Sequence, residues 1–240
     1  MAVAKARHMR VAALWEQADS ERRGYVKCRL CYRRCVIAPG RYGACGVRRN
    51  VNGKLFTMVY GLLTAANLDP IEKKPLMHFE PGSAVFSIST VGCNFFCAFC
   101  QNWELSQSRL EKGLYGSYRE PDELVREAIA SGAHGFSYTY NEPTVFYEYL
   151  YDVAKLAKKN GLFNTMVTNG YMTPEAVKEL KGILDAATVD FKGGGNPEFY
   201  KKFMGVPDPS PIFETLEELK RCGVWIEVTN LVVPEVGDNP

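Results

Sequence analysis

The hydrophobic rhythm of the chain changes at residue 84, where apolar runs of strand length begin to alternate with amphipathic helical stretches. AVFSIS (84–89), GFSYTY (135–140), FNTMVT (163–168), ATVDFK (187–192) and VWIEVTNLVVP (224–234) read as strands. Between them, PDELVREAIASG, PTVFYEYLYDVAKLAKKNG, TPEAVKELKG, NPEFYKKFM and PIFETLEELKRCG carry helical periodicity, the first with Pro121 at its start. A strict β/α series predicts parallel strands under covering helices, either doubly wound or curled into a barrel. Barrels place their chemistry in the loops that follow the strands.

Upstream the pattern is different. Residues 1–24 read as a short amphipathic helix, and residues 24–50 are rich in Gly, Arg and Cys with little periodicity, as in a small knuckle held by a metal. KLFTMVYG (54–61) predicts a strand, and LDPIEKKPLMHFEPGS (68–83) a loop punctuated by prolines. The division expected is a cysteine-rich metal-binding module over 1–60 and a barrel core over 61–240.

Length and charge narrow the function classes. A chain of 240 residues, nearly half of them apolar, can bury one full core and a small second module. Its formal net charge is only +2, with basic and acidic residues interleaved, so no footprint for nucleic acid is present. The N-terminal stretch lacks the apolar core of a leader peptide, and no apolar run reaches the roughly 18 residues of a spanning helix. No membrane association is expected, and the expected location is the cytoplasm, where clustered cysteines serve as metal ligands rather than disulfides.

Seven of the eight cysteines fall into two clusters. Cys28, Cys31, Cys35 and Cys45 form C-x2-C-x3-C-x9-C, whereas Cys93, Cys97 and Cys100 form C-x3-C-x2-C directly after the strand 84–89. Four thiolates close a metal site, while fewer protein ligands leave a coordination position open for chemistry. The upstream set suits zinc or a second iron–sulfur cluster. Its short, basic, apolar-poor segment favours structural zinc, which would supply folding energy. Cys222 stands alone and reads as a small packed residue, and His8, His78 and His134 lack partners at ligand spacing.

The three-cysteine motif, with Phe99 just before its last cysteine, resembles the radical S-adenosylmethionine (radical SAM) superfamily. TVGCNFFCAFCQNWELSQ, SYTYNEPTVF, VTNGY and VDFKGG, in this order, more narrowly resemble the branch like pyruvate formate-lyase activating enzyme, and within it the AmmeMemoRadiSam group, whose N-terminus CRLCYRRC also resembles. The resemblance runs from about residue 24 to the end. It implies a partial (β/α)6 TIM-like barrel, and since the chain stops after the fifth strand, a truncated one that can bind its cluster without turning over.

What the resemblance implies for the site is specific. Cys93, Cys97 and Cys100 would hold three irons of a [4Fe–4S] cluster, and S-adenosylmethionine would ligate the fourth. Phe99 matches the adenine-contacting aromatic; Phe95 and Phe96 either pack the loop or tune the cluster. Thr139, Tyr140, Asn141 and Glu142 occupy the place of the family's Gly-Gly-Glu motif, with Tyr140 and Asn141 in the positions of the two glycines, and Glu142 would face the methionyl amine. Asn169 would contact the cofactor, although an Asn-Gly turn alone also explains it. Asp190 and Lys192 match the catalytic Asp-x-Lys of activating enzymes. Val167 stands where activases carry an Asp, so their cation site is not expected. The implied partners are a protein or small-molecule substrate, an electron donor such as ferredoxin or flavodoxin, and Memo-like and AmmeCR-like proteins. The implied product is a glycyl radical on a partner protein or a radical modification of another substrate. From a different class, an iron–sulfur electron carrier or a metal-dependent interaction module would not need motifs after the later strands.

Overall fold

The computed structural model describes residues 7–19, 22–110, 113 and 115–238. Its first elements lie where a helix is expected. Arg10–Val11 (β1) and Trp15–Gln17 (β2) are extended, with Leu14 between them at φ 50°, outside the α-helical region. β2 pairs antiparallel with Val26–Cys28 (β3), which pairs in turn with Val36–Ile37 (β4). Arg48–Val51 (β5) pairs with Lys54–Thr57 (β6), and β1 adds to the far edge of β6. Over residues 7–19 the expected helix is therefore replaced by strands. Ladder bonds to distant partners outweigh the helix propensity of the local alanines. Residues 1–6 and 20–21 of that stretch lie outside the described residues.

Leu62–Leu63 (β7) and Ala65–Pro70 (β8) lead into the main sheet, where β8 runs antiparallel to Ala84–Ser89 (β9). The loop expected from residue 68 thus begins as an edge strand and a 3-10 turn, Ile71–Lys73. There follow Trp103–Ser106 (α1), Ser117–Tyr118 (β10, paired with β7), Pro121–Ala130 (α2) and Gly135–Tyr138 (β11). Then come Tyr147–Lys159 (α3), Phe163–Thr168 (β12), Pro174–Glu179 (α4), Ala186–Lys192 (β13), Pro197–Phe199 (α5), Ser210–Arg221 (α6) and Trp225–Leu231 (β14).

The sheet has six strands in the order β14-β13-β12-β11-β9-β8, and the five from β9 onward are all parallel. A doubly wound sheet reverses its strand order at a switch point. This order follows the chain without reversal, so the connections wind in one direction, as in part of a barrel. The sheet stays open, with β8 and β14 as its edges.

One hydrophobic core joins the cysteine-rich segment to the sheet. Val26, Leu30, Ile37 and Val47 are buried in the same cluster as Phe136, Met166, Val189 and the inner face of α3, Leu150, Val153 and Ala157. Each fully buried side chain of this size contributes about 1.5–3 kcal/mol. Polar ties cross the same boundary. Thr173 caps α4 by accepting from the Ala176 N–H, while its hydroxyl donates to the Arg29 carbonyl at 2.9 Å. Buried Arg48 on β5 pairs with Glu148 on α3 at 2.7 Å, and the Ala13 N–H donates to the same carboxylate. Removing one partner of such a buried pair costs about 3–5 kcal/mol.

Candidate active site

A cavity of about 430 Å³ opens at the C-terminal ends of the parallel strands. Cys93, Cys97 and Cys100 reach it from the loop after β9, Thr139 to Glu142 from the end of β11, Asn169 from the end of β12, and Asp190 and Lys192 from the end of β13. Of the barrel residues named from sequence, Phe96 and Phe99 are not in its lining; the Phe99 ring packs against Phe199, 5.9 Å between centroids, and the Phe96 ring lies under the Arg33 and Arg109 guanidinium groups. Phe95 lines the wall instead, almost fully buried and edge-on to Tyr171 at 5.2 Å.

The cysteine loop is held at both ends. Gly92 has φ +93°, and a Cβ there would lie 2.7 Å from the Cys45 carbonyl oxygen, so this close approach requires glycine. Farther along, the Phe96 and Ala98 N–H groups donate to the Met204 and Phe203 carbonyls at 3.0 and 2.8 Å. The Phe95 N–H points to the Cys93 sulfur at 3.4 Å, and the Ser106 hydroxyl lies 3.2 Å from the Cys100 sulfur. Burial, and then the nearby Glu142 carboxylate, push the Cys93 thiol well above its ordinary range. Burial also raises Cys97 to about 11, against the pull of the Lys192 ammonium. Such thiols are protonated in the bare chain and become thiolates by releasing their protons to a metal. The set is chemically suited to an iron–sulfur cluster, in which each thiolate binds its own iron.

Glu142 is the most constrained group of the cavity. Its carboxylate accepts from the Thr144 N–H at 3.0 Å, the Thr144 hydroxyl, the Thr168 hydroxyl at 2.8 Å and the Asn169 N–H at 2.8 Å. It is buried and makes no ion pair among the described residues, and burial raises its pKa despite those four donors. Once ionised, a buried carboxylate with hydrogen bonds but no paired cation can accept a charge-assisted bond from an ammonium group. Asn169 donates from its side chain to Asn94 Oδ1 at 2.7 Å, and Asn141 donates to the Gly92 carbonyl at 2.9 Å. Both asparagines thereby tie later strand ends to the cysteine loop. Tyr140, in one of the two glycine places of the family motif, has φ +69°, a conformation that favours glycine. It is kept there by the Asn102 side chain, which donates to its carbonyl at 2.9 Å.

Asp190 and Lys192, on the same face of β13, form an ion pair at 2.7 Å. A second charged group in the wall escaped the sequence reading. Lys74 is buried and pairs with Asp69 at 2.7 Å, Lys73 pairs with the same carboxylate at 2.8 Å, and the Tyr140 hydroxyl donates to it. Lys74 Nζ also lies 4.6 Å from the centre of the Tyr140 ring. Burial alone would raise the Asp69 pKa, but the bonds from Lys73, Lys74 and Tyr140 hold it well below the usual carboxylate range. The spacing of Asp69 to Lys73 and Lys74 across a 3-10 turn was the available signal. The four upstream cysteines line a second, smaller cavity behind the cysteine loop.

Residues 87–240 match the radical SAM superfamily, which is most of the chain, and the chain belongs to that superfamily. Membership brings a [4Fe–4S] cluster and S-adenosylmethionine as cofactors, and Cys93, Cys97 and Cys100 fit the cluster. Among particular proteins, the chain is 45% identical over 233 residues to uncharacterised protein MJ0808 of Methanocaldococcus jannaschii, covering 96% of this chain and 67% of that protein. It is 31% identical over 145 residues to a probable GTP 3′,8-cyclase of Pyrobaculum aerophilum, covering 59% of this chain and 45% of the cyclase. A solved structure of TYW1 with a lysine–pyruvate adduct superposes with a TM-score of 0.49 at 16% identity, covering 72% of this chain and 67% of that one. No helix among the described residues is long and apolar enough to cross a membrane.

Proposed function

We propose that the chain takes a hydrogen atom from its substrate at this cavity in the manner of the glycyl-radical-enzyme activases, within the AmmeMemoRadiSam group. The observation that carries the reading is the buried Glu142, without an ion pair among the described residues, in the same cavity wall as three thiols. When bound, the cluster and S-adenosylmethionine would supply a one-electron cleavage of the sulfonium C–S bond and hydrogen-atom abstraction from the substrate, with methionine and 5′-deoxyadenosine as the products. Cys93, Cys97 and Cys100 supply thiolates. Glu142 binds the cofactor's ammonium, Asn141 and Asn169 fix the walls around it, and buried Phe95 excludes water. The Asp190–Lys192 pair stands at the end of β13, where it orients substrate beside Cys97.

The resemblance to activating enzymes supports a glycyl radical on a partner protein as the product, with a ferredoxin- or flavodoxin-type electron donor and Memo-like and AmmeCR-like proteins as companions. A second reading, radical modification of another protein or a small molecule, is supported by the wall of Asp69, Lys73 and Lys74 against Tyr140, three charged residues that lie outside the activase-like motifs. The test is anaerobic incubation of reconstituted protein with S-adenosylmethionine and a strong reductant. Methionine and 5′-deoxyadenosine in equal amounts are expected; neither product would reduce the chain to an electron carrier or binding module.

A further inference from the structure

Cys28, Cys31, Cys35 and Cys45 surround one chamber on the far side of the cysteine loop, together with Arg48 and Asn94. The Ala44 backbone N–H donates to the Cys35 sulfur at 3.4 Å. Two further observations bear on what the chamber holds. Arg48 and Asn94 are both almost fully buried, yet Arg48 Nε, Arg48 Nη1 and Asn94 Nδ2 have no hydrogen-bond partner among the described residues. Buried donors left unsatisfied cost about 1–3 kcal/mol each, so an acceptor belongs beside them.

The second observation is the spread of the thiols. Zinc draws its thiolates to about 2.3 Å from one point. Among the described residues no three Cys, His, Asp or Glu side chains are placed to hold a single ion, and this is as true of Cys93, Cys97 and Cys100, the superfamily's cluster motif, as of the upstream four. The chamber also keeps about 20 Å³ free. That is enough for a water molecule, space that sulfurs crowded around one zinc would not leave.

We infer that the chamber holds a second iron–sulfur cluster rather than zinc, with Arg48 as its buried counter-charge and Arg48 and Asn94 as donors to its sulfurs. Hydrogen bonds and charge at the sulfurs are the levers by which a protein sets cluster potential. Asn94 follows Cys93 directly, and Gly92 abuts the Cys45 carbonyl, so the two metal-binding loops share one wall.

Metal and sulfide analysis of the anaerobically reconstituted full chain decides between the two. The cluster assignment expects about eight irons and eight sulfides per chain, and about four of each in the C93S/C97S/C100S variant. The variant should keep a reduced-cluster electron paramagnetic resonance signal that ignores S-adenosylmethionine. About four irons with one zinc in the wild type, or about four irons and no other metal, overturns it, and this count stands even if the variant fails to fold. Removing a cation disfavours the more negative, reduced cluster, so Arg48→Gln should lower the midpoint potential of the second cluster and Arg48→Lys should restore it. An unchanged potential in Arg48→Gln overturns the role given to Arg48.

Discussion

The two cysteine sites of this chain are built in opposite ways from the same ligand. The upstream site closes four thiols around about 20 Å³, whereas the downstream site lets three thiols face an open cavity of about 430 Å³. The closed site takes its ligands from short antiparallel strands and turns of one local segment. The open one assembles its walls from four successive strand ends of the parallel sheet. Ligand number and architecture therefore agree: a saturated metal needs only a knuckle, while a metal with a free position needs a barrel mouth to bring a substrate to it. Contact between the loops, through Gly92 and Asn94, makes their independence a matter for experiment.

The largest effect is expected from exchanging which site is broken. Cys97→Ser should remove the downstream cluster and all 5′-deoxyadenosine formation while sparing the upstream metal. Replacing Cys28 and Cys31 by Ser should do the reverse, and the response to S-adenosylmethionine should survive. Loss of every metal from the upstream variant would show one cooperative unit in place of two sites.

A smaller effect is expected at Glu142. Glu142→Gln should weaken S-adenosylmethionine binding about tenfold or more, about 1.4 kcal/mol, with iron content unchanged; equal loss of iron would make its role structural. The pH dependence follows from the sign of its shift. Because its folded pKa is raised, mainly by burial, the stability linked to its protonated form is complete below the ordinary carboxyl range and is lost as pH rises through the raised value. Only the ionised carboxylate pairs with an ammonium, so the thermal stabilisation conferred by S-adenosylmethionine should grow with pH across that range. Glu142→Gln should flatten the dependence. Gly92→Ala acts on stability rather than on cofactor binding: a positive φ and a 2.7 Å approach to the Cys45 carbonyl should cost about 2 kcal/mol of stability and give the smallest change in activity, lowering the occupancy of both sites together. A loss confined to one site would separate them again.

Much of this was legible in the chain because the parallel strands are apolar runs with breakers between them. Cys93, Glu142, Asn169 and Asp190 could be placed at strand ends simply by counting from those runs. Three features were not legible, each for a physical reason. The strands at Arg10–Val11 and Trp15–Gln17 owe their form to partners 9 to 47 residues away, which periodicity does not see. Whether Phe95 or Phe99 enters the cavity depends on the turn of an irregular loop, where side-chain direction has no fixed period. The wall of Asp69, Lys73 and Lys74 lies in a stretch whose prolines read as loop, though Asp69 sits on an antiparallel edge strand and the 3-10 turn that follows brings Lys73 and Lys74 back to its carboxylate.

The central claim is that the downstream site keeps one coordination position open for S-adenosylmethionine. Electron paramagnetic resonance of the reduced, reconstituted protein, recorded with and without the cofactor, tests it most directly. In the variant with Cys28 and Cys31 replaced by Ser, which isolates the downstream cluster, the signal should change shape on adding S-adenosylmethionine. A spectrum unchanged at saturating cofactor, in a protein that retains its downstream irons, would contradict the account.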